Sequence, residues 1–163
     1  KFRTTNPEQS MYLGFEAGKN VTSTAIGNAF FGHQAGKNIE GDGDNTLIGA
    51  NAGENMGNEV GASPSDNTGV GADVFANLKD GDSNTGVGSA VMNSANNSTQ
   101  NSVFGVNSGL NMDGANSNNI FGGESAKILE GNNNNCQQTC QQYCKVSLEP
   151  NWKLMEYEAL HER

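Results

Sequence analysis

An aliphatic or aromatic residue stands directly before a glycine at seven nearly even intervals: Gly14, Gly32, Gly49, Gly71, Gly88, Gly105 and Gly122. The intervals are 18, 17, 22, 17, 17 and 17 residues. A fixed period marks a repeat architecture, in which each unit buries its apolar side only by stacking on the next. With each glycine as position 0, position −4 carries Asn28, Asn45, Asn67, Asn84, Asn101 and Asn118, and Ser10 in the first unit. Position −1 carries Leu13, Phe31, Ile48, Val70, Val87, Phe104 and Phe121. Position +3 carries Ala17, Ala35, Ala52, Val74, Val91, Ser108 and Ser125; position +7 carries Val21, Ile39, Met56, Leu78, Ala95, Met112 and Leu129.

Seventeen residues fit neither a heptad nor the helical repeats of 33–45 residues. Gly, Asn, Ser and Asp crowd the units, and Gly and Asn are poor helix formers. Short apolar runs such as Asn45–Gly49 and Asn101–Gly105, bounded by turn residues, read as strands. The expected fold is all-β: a parallel β-solenoid, or β-roll, of about seven coils stacked ~4.8 Å apart. In this reading position −1 points inward as an apolar ladder, +3 and +7 fill the coil, and the Asn column forms a structural amide ladder. Strand alternation then turns position −2 outward. That position carries Tyr12, Phe30, Leu47, Gly69, Gly86, Val103 and Ile120. Apolar residues on an outer face mark contacts, so Tyr12, Phe30, Leu47, Val103 and Ile120, with Trp152 in the tail, are the candidate oligomer contacts. The simplest closed assembly is a homotrimer.

The units Asn45-Thr-Leu-Ile-Gly-Ala-Asn-Ala-Gly53, Asn67-Thr-Gly-Val-Gly-Ala72 and Asn84-Thr-Gly-Val-Gly-Ser-Ala90 resemble head repeats of trimeric autotransporter adhesins. Similar units occur in phage tail fibres. The resemblance spans roughly residues 10–131. It implies a β-roll, three of which pack around one axis in an extracellular, cell-surface or virion fibre. The chain departs from that family in its longer repeat, and it carries no neck motif, anchoring barrel or C-terminal chaperone domain of the fibre type.

The organisation read from the sequence is an extended entry over 1–9, repeats over 10–131, and a tail over 132–163. An insertion near Gly57–Ser65 accounts for the 22-residue interval. In the tail, Asn132–Asn135 reads as a linker. Cys136, Cys140 and Cys144 follow at i, i+4, i+8, the spacing of one helix face. Three readings stay open for them: interchain disulfides, free thiols, or a metal site. After Pro150, the stripe Trp152, Met155, Ala159 and Leu160 reads as an amphipathic helix.

The net charge is −9, with 14 acidic against 6 basic residues in 1–135. This offers no basic patch for nucleic acid. No apolar run approaches the roughly 20 residues of a membrane helix, so no membrane insertion is expected. The chain begins at Lys1, which fits a processed form or a fragment. No phosphate-binding loop or catalytic triad is evident. The Asp42/Asp44 pair and His33 and His161 make no site by spacing. The expectation is therefore no enzyme, no metal and no cofactor. A structural and adhesive fibre module comes first, with a cell-surface receptor or glycan as possible partner. A subunit of a self-assembling filament joined through the tail is the alternative. An ice-binding solenoid, suggested by Thr46, Thr68 and Thr85 in one column, ranks below both.

Overall fold

The computed structural model describes residues 2–5, 9–22, 24–39, 43–59, 61–137 and 144–145, with side chains outside the description at 2–5, 137 and 144–145. The chain is an all-β parallel solenoid of about seven coils, and the described residues contain no helix. Among the described residues there are twelve strands: β1 Phe2–Thr5, β2 Ser10–Leu13, β3 Ala29–Phe31, β4 Thr46–Ile48, β5 Thr68–Val70, β6 Thr85–Val87, β7 Ser102–Phe104, β8 Asn111–Met112, β9 Asn119–Phe121, β10 Ile128–Glu130, β11 Asn135–Gln137 and β12 Cys144–Lys145. One strand per coil builds a sheet in the order β1-β2-β3-β4-β5-β6-β7-β9-β11, and β8, β10 and β12 form a second, smaller sheet. From β2 onward every pairing in the large sheet is parallel and in register, so each column lies directly over itself (Thr46 on Thr68 on Thr85 on Ser102). Only β1 runs antiparallel, pairing Phe2–Thr5 with Ser10–Leu13.

The strands are short because two local constraints bound them. Position 0 turns the corner at φ between 125° and 147°, a region L side chains rarely adopt. A Cβ there would also lie 2.5–2.7 Å from the carbonyl carbon of the glycine in the next coil, from Gly14 through Gly105. Each coil further uses the left-handed region at +2 (Glu16, Gln34, Asn51, Asp73, Ala90, Asn107, Glu124) and just before the Asn column (Asp44, Asp66, Ser83, Gln100, Ser117). That requirement explains the load of Gly, Asn, Asp and Ser.

The interior holds positions −2, +3 and +7 in one continuous cluster from Tyr12 to Cys136. This reverses the phase expected for the strand. Tyr12, Phe30, Leu47, Val103 and Ile120, expected to be outer contacts, are buried in the core. Position −1, expected inside, faces out. The strand alternates as expected but in the opposite phase, so the more regular apolar column is the outer one. The buried Asn at −4 sets the phase: −4 and −2 have the same parity, so both point inward.

Position −2 is irregular for a reason. In four of the five coils where it is large, position +4 is glycine, because a Cβ at Gly18 would lie 2.7 Å from the Tyr12 ring and one at Gly53 would lie 2.5 Å from Leu47 Cδ1; in the fifth, Ile120 stands with the small Ala126. Where −2 is Gly69 or Gly86, position +4 carries Phe75 or Met92, at φ 55° and 45°. The Phe75 ring lies over both glycines, its Cδ2 2.9 Å from a Cβ at Gly69 and its Cζ 2.7 Å from one at Gly86. The core therefore holds one bulky side chain per slot, delivered from either of two positions.

Two further expectations for the tail change. Asn132–Asn135 is no linker: Asn134 N donates to Asn118 Oδ1 at 2.8 Å, and β11 pairs with β9. An eighth, partial coil thus continues the stack. Cys136 and Cys144 lie in strands rather than on a helix face. Spacings of four also suit the inward positions of a coil, and the coil beneath decides the matter. Cys140 and the stripe from Trp152 to Leu160 lie outside the described residues.

Candidate interaction face

The Asn column is buried, and its side chains form a rail. Asn84 shows the pattern. Its backbone N–H and its Nδ2 donate to Asn67 Oδ1 at 2.9 and 3.0 Å, and Nδ2 also donates to the Ser98 carbonyl at 2.7 Å. Its own Oδ1 accepts the Asn101 N–H and Nδ2, both at 3.0 Å. Asn67 and Asn101 repeat this arrangement, and Asn118 repeats its donor half. Asn45 N donates to Asn28 Oδ1 at 3.0 Å, and Asn28 N to Ser10 Oγ at 3.0 Å. From Asn67 to Asn101 each amide joins three coils and has its polar atoms paired, whereas Asn28 Nδ2, near the start of the rail, has no partner among the described residues. At Asn134, the last rung, neither amide atom has a partner among the described residues.

A second ladder lies on the outside and was not anticipated. Asn20 donates to Asn38, Asn38 to Asn55, Asn55 to Asn77 and Asn77 to Asn93, at 2.7–3.3 Å between Nδ2 and Oδ1. Its signal was present in the sequence, since the first four members all stand at +6. Charge gathers beside it. Glu16 accepts from Lys19 at 2.7 Å and pairs with Lys37 at 3.1 Å, and Lys37 reaches Glu54 at 3.6 Å. Lys19, then Gln34 and Lys37, hold the Glu16 carboxyl down to about 2.

The opposite character appears on the outer face of the large sheet. Leu13 and Ile48 are each 41% exposed, Val87 37% and Phe121 43%; Phe31, Val70 and Phe104 between them are half-buried. Phe104 and Phe121 stack with their centroids 5.0 Å apart. Two residues earlier the face shows Met11, Ala29, Thr46, Thr68, Thr85, Ser102 and Asn119; past the corner it shows Phe15, His33, Ala50, Ala72, Ser89, Val106 and Gly123. Phe15 and His33 stack at 5.4 Å. None of these three columns contains Asp, Glu, Lys or Arg, although the chain has 27 such residues (9 basic plus 18 acidic). Seven parallel strands, β2 to β9 in the large sheet, give the face a length of roughly 29 Å.

The insertion borders a polar cleft of about 240 Å³ lined by Glu59, Gly61, Ala62, Asp80, Asn96 and Asn97. Its carboxylates are already engaged: Glu59 pairs with Lys79 at 2.9 Å, and Asp80 Oδ1 accepts the Ser63 N–H at 3.4 Å. Asp44 stands exposed over Gly27, Asp42 and His161 lie outside the described residues, and the described residues hold no cluster of His, Cys, Asp and Glu that suits a metal. Cys136 is 5% exposed, inside the coil. No helix among the described residues is long and apolar enough to cross a membrane. No protein-family model, curated protein or solved structure matches the chain.

Proposed function

We propose that the chain is a structural and adhesive module, a rigid rod that packs side by side with copies of itself, most simply as a homotrimer, in an extracellular fibre on a cell or virion. One observation carries this reading: a sheet face roughly 29 Å long, with a continuous apolar rank and no ionised side chain in its three outward columns. Contiguous apolar surface of this kind marks a contact face. A chain of net charge −9 resists self-association unless the contact excludes its charges, and this face does so. The rod's other sides, polar and ordered by the outer Asn ladder, are left for a receptor or glycan.

The filament alternative requires coils of different chains to stack end to end. β1 opposes that at the N-terminal end, because an antiparallel strand occupies the edge where a parallel coil would add. An ice-binding reading draws on Thr46, Thr68 and Thr85, which lie in register on the outer face with Ile48, Val70 and Val87 two positions on. Thermal hysteresis tests it directly.

The module reading is tested by mass in solution, using sedimentation equilibrium on the wild type and on Ile48→Glu/Val87→Glu. The wild type should have the mass of three chains. The variant should be a monomer with an unchanged β-type circular-dichroism spectrum, while Asn77→Glu on the polar side leaves the trimer intact. A monomeric wild type, or a variant that still assembles, overturns the proposal.

A further inference from the structure

We propose that His33 is a pH switch for the lateral contact: copies of the chain pack together near neutral pH and separate on acidification. The switch rests on the packing of copies through the outer face. His33 is the one titratable side chain in the three outward columns of that face, whose other positions carry only apolar, hydroxyl, amide or glycine residues. Its ring is exposed and stacks on Phe15 of the coil below, with centroids 5.4 Å and planes 17° apart. The stack keeps the imidazole within the face. In the coil above, the same column continues with Ala50, and Asn51 N donates to the His33 carbonyl at 2.8 Å. The charges on these coils are engaged elsewhere. Glu16, next to Phe15, accepts from Lys19 at 2.7 Å and from Gln34 Nε2 at 2.9 Å, and it pairs with Lys37, which reaches on to Glu54. Asp73 accepts from Asn51 Nδ2 at 3.0 Å. β1 ends its pairing at Leu13, on the coil below. Among the described residues no carboxylate pairs with the imidazole.

Imidazole ordinarily takes up its proton near pH 6.5. On a separate chain the resulting cation faces water, whereas in a dry contact it loses that hydration and finds no counter-ion. Cyclic symmetry adds a second cost, because it places the His33 of every copy at the same height along the axis. Protonation then brings like charges to one level. Separate chains therefore bind more protons than the assembly, and falling pH favours separation. With all three imidazoles held neutral in a trimer, its dissociation constant rises by about a thousandfold between pH 7.5 and 5.5. The rest of the chain works in the opposite direction. Its net charge is −9, and acidification reduces that charge and the repulsion between copies. The sign of the pH response thus separates His33 from the background.

The experiment is sedimentation equilibrium of the full chain at pH 7.5 and 5.5, at fixed ionic strength and over a range of concentrations, with circular dichroism at both pH values. Wild type should have the mass of three chains at pH 7.5 and approach that of one chain at pH 5.5, with its β-type spectrum unchanged. His33→Gln, which keeps a polar side chain but takes up no proton, should have the mass of three chains at both. His33→Lys, charged at both, should stay a single chain throughout. A wild type that remains assembled at pH 5.5, or a His33→Gln chain that separates there as the wild type does, would overturn the switch and leave the packing of copies standing. A wild type that is a single chain at both pH values would overturn the packing and the switch with it.

Discussion

Placing leucine at Gly69 should destabilise the wild-type chain and stabilise a chain that already carries Phe75→Gly. In the wild type, a Cβ at Gly69 meets Phe75 Cδ2 at 2.9 Å and Leu47 Cδ2 and Val74 Cγ1 at 3.1 Å. Gly69→Leu alone is therefore overpacking, at a cost of about 1–3 kcal/mol. Phe75→Gly alone empties a fully buried site, where loss of a phenylalanine costs about 3–5 kcal/mol. Glycine returns about 1 kcal/mol of this, because Phe75 holds a φ of 55° that glycine adopts freely. The net loss is about 2–4 kcal/mol. In the double variant the fourth coil acquires the arrangement of the third, where Leu47 stands with Gly53. Leucine refills the space over residue 69, and only the part over Gly86 stays empty. The coupling between the two changes should reach about 2 kcal/mol or more. Urea unfolding followed by circular dichroism measures it. With slopes of roughly 1–3 kcal/mol/M, Gly69→Leu should move the midpoint down in the wild type and up in Phe75→Gly. A downward shift of the same size in both backgrounds would refute the idea that one slot is filled from two positions.

The two Asn ladders should differ sharply in cost. Asn84→Ala strands the buried Asn101 N–H and the Ser98 carbonyl, each worth about 1–3 kcal/mol when left unpaired, so a loss of about 3–5 kcal/mol is expected; Asn55→Ala on the outer ladder should cost under about 0.5 kcal/mol. Equal shifts in the urea midpoint would contradict this. The Glu16 carboxyl, held at about 2 by Lys19, Gln34 and Lys37, titrates below its unfolded value of 4.5, so its contribution is complete above 4.5 and is lost as pH falls from there toward about 2. Carboxyl carbon shifts should show that low midpoint, and Glu16→Gln should flatten the acid limb of stability; a midpoint near 4.5 would contradict the cluster.

The period, the β class, the glycine corner and the inward +3 and +7 columns were legible because each repeats a single residue type under a single constraint. The direction of the strand was not. A column such as Leu13 to Phe121 looks like core because it never lapses, whereas the true core column lapses twice, at Gly69 and Gly86. Only the covariation with +4 explains those lapses. Phe75 and Met92 replace glycine in the same two coils where −2 becomes glycine, a pairing visible in the sequence itself. The parity of the Asn column carried the same message. The eighth coil was hidden by composition. Gly disappears after Gly131, and a run of four Asn reads as a linker until Asn134 is seen bonded to Asn118. The candidate face followed from the phase. Once −2 turns inward, −1 must turn outward, and the rank that had been assigned to the core becomes the surface in need of a partner.

That exchange also bears on how copies of the proposed module would meet. Addition at an end requires each corner to accept the next coil's carbonyl, which is why positions from Gly14 through Gly105 exclude a Cβ. At the N-terminal end the sheet terminates in an antiparallel strand. That end thus discourages stacking, while the side keeps an uncharged rank from Leu13 to Phe121 exposed to water. Hydrophobic burial has little geometric specificity of its own, but here the in-register columns confine it to one flat strip. Lateral packing of a fixed, small number of chains satisfies that strip, whereas a growing filament would leave it uncovered along its whole length.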